Sequence, residues 1–323
     1  LDLSMLANLL DFEAVGYEVP TDASSQDTFV RMNRTSDTFL QIPVRRKHLQ
    51  TVTLVATLPK LDKVLNTEDA IFKELVLERM ARVSNVVFDT RFPEIVDFFT
   101  ATVKGNNLKV PVLVSEYIRG KNLHIAIKSN YLALAKNGDI FDPAKREKAP
   151  VNLRRVKDIV CELLSVQQTL YGHGLLHFGV VPEHVILQID DIVRLRGLRF
   201  VVRVKNENLT DMAITDVKKY GPIFIKYYSP NSLLEYIRSG GKQCVNAFEV
   251  VAFQTARLIF DLTTKGKYRN AEFTPELIAK AEYHVKTHQV LYVKNVVGNL
   301  LKDAQKFTSL NQISTIVESL PEA

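Results

Sequence analysis

Residues 171–187 run Tyr171-Gly172-His173-Gly174-Leu175-Leu176-His177-Phe178-Gly179-Val180-Val181-Pro182-Glu183-His184-Val185-Ile186-Leu187. They follow a long amphipathic segment, residues 152–171. There Val156, Ile159, Leu163, Val166 and Leu170 recur on one helical stripe. Gly172 and Gly174 mark a turn after that helix, and residues 180–187 read as a short apolar strand. His173 and His177 stand four apart, a spacing that shares a face only on a helix. Within a glycine turn, structural roles for His173, His177 and His184 are expected ahead of a metal site.

Composition narrows the field. The chain has 323 residues, 46% hydrophobic and 24% charged, which is ample core material for a globular fold. It has no Trp and only 13 Gly, where ordinary usage would give about 23. No glycine lies between Gly16 and Gly105. A glycine-rich phosphate loop in the first hundred residues is therefore excluded. The net charge of +6 is mild, and the basic clusters, Arg45-Arg46-Lys47 and Lys145-Arg146-Glu147-Lys148, read as solvated surface rather than a nucleic-acid patch. No apolar run has the length of a membrane span, and the chain opens on Leu1 without a signal-peptide pattern, which reads as a fragment or a processed form. Cys161 and Cys244 offer no metal-ligand spacing, and a disulfide between them is left open. Asn33-Arg34-Thr35 and Asn208-Leu209-Thr210 fit the glycosylation triplet, a pattern expected by chance at this length.

Periodicity predicts a strand-rich first part: a helix over 3–10, strands over 29–44 and 51–58, a helix over 67–83, and strands over 98–103 and 108–117 joined at Gly105-Asn106-Asn107. After Gly120 the pattern turns helical. Helices are expected over 123–135, 152–171, 247–262, 271–288, 291–304 and 310–320, with a polar loop over 138–150 and short strands over 180–187 and 193–204. The reading is α+β, with a smaller β-rich lobe (1–117), a larger helical lobe (118–323) and a cleft between them.

The quoted stretch resembles the catalytic loop of protein kinases, His-Arg-Asp followed by Leu, Lys, Pro, Glu and Asn before an apolar strand. Other elements match in order. Leu113-Val114-Ser115-Glu116-Tyr117-Ile118-Arg119-Gly120-Lys121-Asn122-Leu123 resembles the hinge, and Tyr227-Tyr228-Ser229-Pro230-Asn231 the Ala-Pro-Glu element. Residues 251–261 are similar to the buried helix after it, and Leu300-Leu301-Lys302-Asp303 with Phe307-Thr308 to the last conserved helix. The resemblance spans residues 20–320 and implies a two-lobed kinase-like fold.

Matched residue by residue, the chemistry is missing. His177 takes the scaffold histidine's place and Gly179 the catalytic aspartate's. Val181 falls on the loop lysine, and His184 on the magnesium-binding asparagine. Gly197-Leu198-Arg199 replaces Asp-Phe-Gly. On residues 53–58 the strand lysine becomes Leu58, with Lys60 two residues on after Pro59, and Glu74 is the counterpart of the helix glutamate. Val251 and Phe253 stand for the aspartate and tryptophan of the buried helix. Asn231 and Phe307 replace both ends of a buried ion pair, a joint loss that leaves no stranded charge. Phosphoryl transfer needs the base, the metal ligands and the phosphate cradle together.

The resemblance therefore implies a pseudokinase, most similar to the rhoptry-type secreted kinases of apicomplexan parasites in the branch lacking the glycine loop. It implies a non-enzymatic protein-interaction scaffold with no cofactor, no ATP and no nucleic acid bound. The resemblance also implies a protein partner, and secretion to the parasitophorous vacuole or cyst wall with a signal peptide trimmed away. The alternative is a nucleotide-binding pseudokinase acting as a conformational switch or allosteric regulator of an active kinase, for which Lys60 and Glu74 are the one available charge pair. A third reading, unorthodox chemistry, would use Glu183 or Asp190-Asp191 as acids. Arg194, Arg196 and Arg199 crowd the magnesium position and are expected to have mixed roles. Lys218, Lys219 and Lys226 read as a solvated loop or as a docking surface for an acidic partner.

Overall fold

Two β-rich hydrophobic runs, residues 39–46 and 54–59, set the first half of the fold. The computed structural model describes residues 2–33, 39–49, 54–60, 77, 80–83, 85–105, 108–133, 143–210 and 227–321. The chain is mixed α+β and divides into two compact units, Leu1–Ile118 and Arg119–Ala323.

In the first unit, α1 (Leu3–Leu9) starts where the Asp2 carboxylate accepts a hydrogen bond from the Met5 amide at 2.8 Å. Then come β1 (Tyr17–Glu18), α2 (Ala23–Asn33), β2 (Phe39–Arg46), β3 (Leu54–Pro59), β4 (Ile95–Thr102) and β5 (Lys109–Glu116). The strands form one antiparallel sheet in the order β1-β2-β3-β5-β4. Alternation sorts its side chains. Leu40, Ala56, Leu58 and Val112 cluster with Leu3 and Leu6 of α1 and with Leu10 just after it, whereas Phe39 and Leu113 pack with Leu77. Leu77 and residues 80–83 are helical; the rest of the helix expected over 67–83 lies outside the described residues, Glu74 included.

One expectation fails here. The strand anticipated over 29–44 is two elements, because Asp22 caps a helix first. Its carboxylate takes the Ser25 amide at 2.9 Å and the Ser25 hydroxyl at 2.8 Å. Helix α2 then runs to Asn33, and the strand begins only at Phe39.

The second unit opens with β6 (Lys121–Asn122), α3 (Leu123–Lys128), α4 (Pro143–Lys148) and α5 (Leu153–Gly172). With β6, strands β7 (Leu175–His177), β8 (Val185–Leu187), β9 (Val193–Leu195), β10 (Val201–Lys205) and β11 (Asn208–Leu209) form two three-stranded sheets, β11-β10-β7 and β6-β8-β9. Helices α6 (Asn231–Arg238), α7 (Ala247–Thr263), α8 (Pro275–Lys280), α9 (Val290–Lys302) and α10 (Leu310–Glu318) complete it. Asn152 caps α5 and Asn246 caps α7, each side chain accepting two backbone N–H groups. Helix α7 is buried along nearly its whole length and is the centre of this unit.

Three readings are corrected. The helix expected over 123–135 stops at Lys128, because Asn130 takes a left-handed φ of 46° and its amide donates to the Arg146 and Ala149 carbonyls. The loop expected over 138–150 contains α4. The helix expected over 271–288 is only α8. Beyond it the His284 amide donates to Thr263 O at 2.8 Å and the Val151 amide to His284 O at 2.6 Å, so tertiary hydrogen bonds replace helical ones. Among the described residues no helix is long and apolar enough to cross a membrane.

Candidate functional site

The 177–184 loop is held from both sides by glutamines. From α5, Gln167 accepts from the His177 amide at 3.0 Å and donates to its carbonyl at 2.7 Å. From α7, Gln254 donates to Phe178 O at 2.6 Å and to Tyr228 O at 3.2 Å, and accepts from the Val180 amide at 3.1 Å. A carboxamide both donates and accepts, so one side chain satisfies buried groups of both kinds. Gln254 was not among the residues singled out in the sequence; polarity within an apolar helix was its signal. Val251, one turn earlier on α7, is buried beside it, and Phe253 packs edge-on to Phe273 at 5.7 Å.

Two imidazoles hold the Gly179 peptide groups. The Gly179 amide donates to His177 Nδ1 at 3.1 Å. The His177 proton therefore sits on Nε2, which donates to Arg196 O at 3.1 Å. On the other side, His184 Nδ1 lies 2.6 Å from Gly179 O and must donate to it. Burial pushes His177 down to about 4, against the opposing pull of the Arg196 and Gly197 carbonyls. Burial, and then the Arg199 charge, hold His184 well below the usual histidine range. Both rings are neutral near pH 7. His173 is exposed at the end of α5, whereas His177 is buried.

Between the two glycines lies the ring of Phe200. A β-carbon on Gly179 would stand 2.6 Å from Phe200 Cγ, and one on Gly197 2.9 Å from Phe200 Cδ2. Gly197 also has φ +87°, where an L side chain is strained. Around the ring sit His184 at 4.5 Å, Phe178 edge-on at 5.6 Å, His177 at 5.8 Å and the Arg199 guanidinium at 4.8 Å. Nothing local marks this arrangement, since Phe200 lies three residues after Gly197 in a run that reads as ordinary core.

The remaining positions are dispersed. Val181 and Leu198 are buried beside the loop. Leu58 is fully buried in the first unit, on the sheet face opposite Leu77, and Lys60 follows the end of β3. Asn231 is the exposed first residue of α6, whereas Phe307 is buried. A buried ion pair occurs elsewhere, on α7. The Arg257 Nε lies 3.4 Å from Asp261, and the Arg257 guanidinium donates to the Tyr268, Arg269 and Ala271 carbonyls. Burial raises the Tyr228 phenol, which keeps its proton and donates it to Asp261.

The carboxylates proposed as acids are engaged too. Glu183 is ion-paired with Arg269. Asp191 takes Arg155 through two bonds, of 2.6 and 2.7 Å. The side chain of Asp190, like Lys218, Lys219 and Lys226, lies outside the described residues. The three arginines have separate roles. Arg199 covers Phe200, Arg196 donates to Glu183 O at 3.2 Å, and Arg194 reaches Gln188 at 3.5 Å. Cys161 and Cys244 are free thiols. Among the described residues no group of three or more His, Cys, Asp or Glu is placed to hold a metal ion. No protein-family model matches the chain, and no curated protein matches it.

Proposed function

We propose that this chain is a pseudokinase, a kinase-like protein that has lost phosphoryl transfer and serves as a protein-interaction scaffold. The observation that carries the reading is the Phe200 ring between Gly179 and Gly197. On the kinase resemblance these are the positions of the catalytic and metal-binding aspartates. Restoring either carboxylate would require moving an aromatic ring packed on four sides. Supporting it are the five-stranded antiparallel sheet followed by a helical unit, and the loop anchored on a buried helix. The same resemblance carries the rhoptry-type, secreted assignment as part of this proposal.

The test is a thermal-shift titration of the purified chain with ATP and magnesium, paired with radiolabelled phosphoryl transfer. The melting temperature is expected to stay unchanged and no label to move. Stabilisation by several degrees would sink the scaffold reading; if lost in Lys60→Ala, it would favour the nucleotide-binding switch.

A further inference from the structure

The fold treats the asparagines of the two Asn-x-Thr triplets oppositely. Asn206 and Glu207 take left-handed φ values of 49° and 63°, closing a two-residue turn between β10 and β11. Asn208 follows the turn, in register with Lys205. Side chains two apart on a strand share a face. Leu209 is buried, so Asn208 and Thr210 are turned to the other side, where both are partly exposed. Arg203, Lys205, Asn206 and Glu207 around them are exposed as well. Main-chain bonds fix this hairpin: the Leu209 amide donates to Val245 O at 2.9 Å, and the Ala247 amide to Glu207 O at 2.8 Å. Among the described residues the Asn208 side chain makes one hydrogen bond, from Nδ2 to Asn206 O at 2.9 Å. A carboxamide nitrogen carries two hydrogens, so one can be replaced while the other keeps that bond. Asn33 has no such reserve. Its Nδ2 donates to Phe29 O at 2.8 Å and to Gln41 O at 2.7 Å, and a sugar there would break one of the two.

We infer that Asn208 is an N-glycosylation site of this chain and that Asn33 stays bare in the folded protein. The co-reactant is an oligosaccharide linked through pyrophosphate to a lipid. The Asn208 nitrogen bonds to the anomeric carbon of the sugar, and the bond from that carbon to the pyrophosphate oxygen breaks. The lipid pyrophosphate leaves with the electron pair, and the nitrogen gives up one proton. Thr210 supplies the hydroxyl that the triplet requires, on the same face as the acceptor. That the chain meets such a donor rests on the secreted reading; the choice between the two asparagines rests on the hydrogen bonds alone.

The test is secretion of the full chain, behind a cleavable signal peptide, from cultured insect cells. Glycan release by peptide N-glycosidase in heavy-oxygen water, followed by peptide mass spectrometry, reads each asparagine, because release marks the acceptor with the isotope. The mark is expected at position 208 and not at position 33, with the secreted band dropping by the mass of a single glycan on digestion. The drop should vanish in Asn208→Gln and in Thr210→Ala, and persist in Thr210→Ser, which keeps the hydroxyl. Matching melting temperatures of these variants and the deglycosylated parent establish that the acceptor and not the fold is lost. Secreted, folded chain that is bare at position 208, or that carries a glycan at position 33, would overturn the inference. The ATP titration reads the pseudokinase proposal separately, so either idea can fail alone.

Discussion

The ring of Phe200 lies against the bare α-carbon of Gly179, so closely that a β-carbon at 179 would come within 2.6 Å of Cγ and 2.8 Å of Cδ1. The packing at this point depends on the absence of a side chain. It links Gly179 and Gly197, which under the proposed kinase correspondence stand where carboxylates would be, through one aromatic residue.

Gly179→Asp should accordingly destabilise the protein by about 1–3 kcal/mol or more through overpacking, without creating phosphoryl transfer. Phe200→Ala should cost about 3–5 kcal/mol alone, through the cavity it leaves. The double variant should be more stable than the sum predicts by at least about 1 kcal/mol, because the smaller residue makes room for the larger. Urea denaturation of all four proteins measures this. Strict additivity would mean that the ring and the glycine do not constrain each other.

The loop should lose stability in acid. His177 has a folded value of about 4 against an ordinary 6.5, so below pH 6.5 the unfolded chain binds a proton that the folded chain refuses. Stability is then complete above about pH 6.5 and falls as the pH drops toward 4, by on the order of 3 kcal/mol from this group. His184 is shifted in the same direction and adds to the slope. Protonation would also turn His177 Nδ1 from acceptor to donor, facing the Gly179 amide. Denaturation midpoints from pH 7 to pH 4 measure it, and a level profile would contradict the assignment of both rings as neutral.

Gln254→Leu should be more damaging than its conservative volume suggests. It would remove partners from the Phe178 and Tyr228 carbonyls and the Val180 amide. A buried polar group left unsatisfied costs about 1–3 kcal/mol, so a total loss of about 3 kcal/mol or more is expected. Amide exchange at Val180 should accelerate along with the drop in stability. A variant as stable as the parent would show that the glutamine is not the anchor of the loop.

The two glycosylation triplets should behave differently. The Asn33 amide donates to Phe29 O at 2.8 Å and to Gln41 O at 2.7 Å, while its carbonyl accepts from the Gln41 amide at 2.8 Å. It completes the β2 backbone at Gln41, and no hydrogen is left on its nitrogen for a glycan to replace without breaking a bond. The Asn208 amide makes one bond, to Asn206 O at 2.9 Å, on an exposed hairpin. Asn33→Ala should therefore cost about 1–2 kcal/mol, and Asn208→Ala should stay within about 0.5 kcal/mol of the parent. Thermal melts of the two variants decide it, and equal effects would refute the edge-completing role of Asn33.

Long apolar stripes are legible in the sequence. The helix expected over 152–171 is Leu153–Gly172, and the one expected over 247–262 is Ala247–Thr263. Both have a strong local pattern and an asparagine cap, so local and tertiary preferences agree. Where they disagreed, reading failed. Residues 281–286 have a helical composition, but the His284 amide and carbonyl find their partners at Thr263 and Val151. In the 29–44 run, the period-two pattern concealed a helix that Asp22 had already started.

The sequence alone determined which chemical groups exist. Gly179 and Gly197 carry no side chain, the first hundred residues hold no glycine loop, and these follow from residue identity without any folding. Only the tertiary structure decided what occupies the places those groups left. It put Phe200 between the glycines, Gln254 under the loop, and Arg269 and Arg155 on the carboxylates that remained. The physical reason is range. Identity and periodicity are properties of adjacent residues, whereas a buried contact such as that between Val180 and Gln254 joins groups 74 positions apart. Such contacts are selected by close packing and hydrogen-bond satisfaction across the whole core.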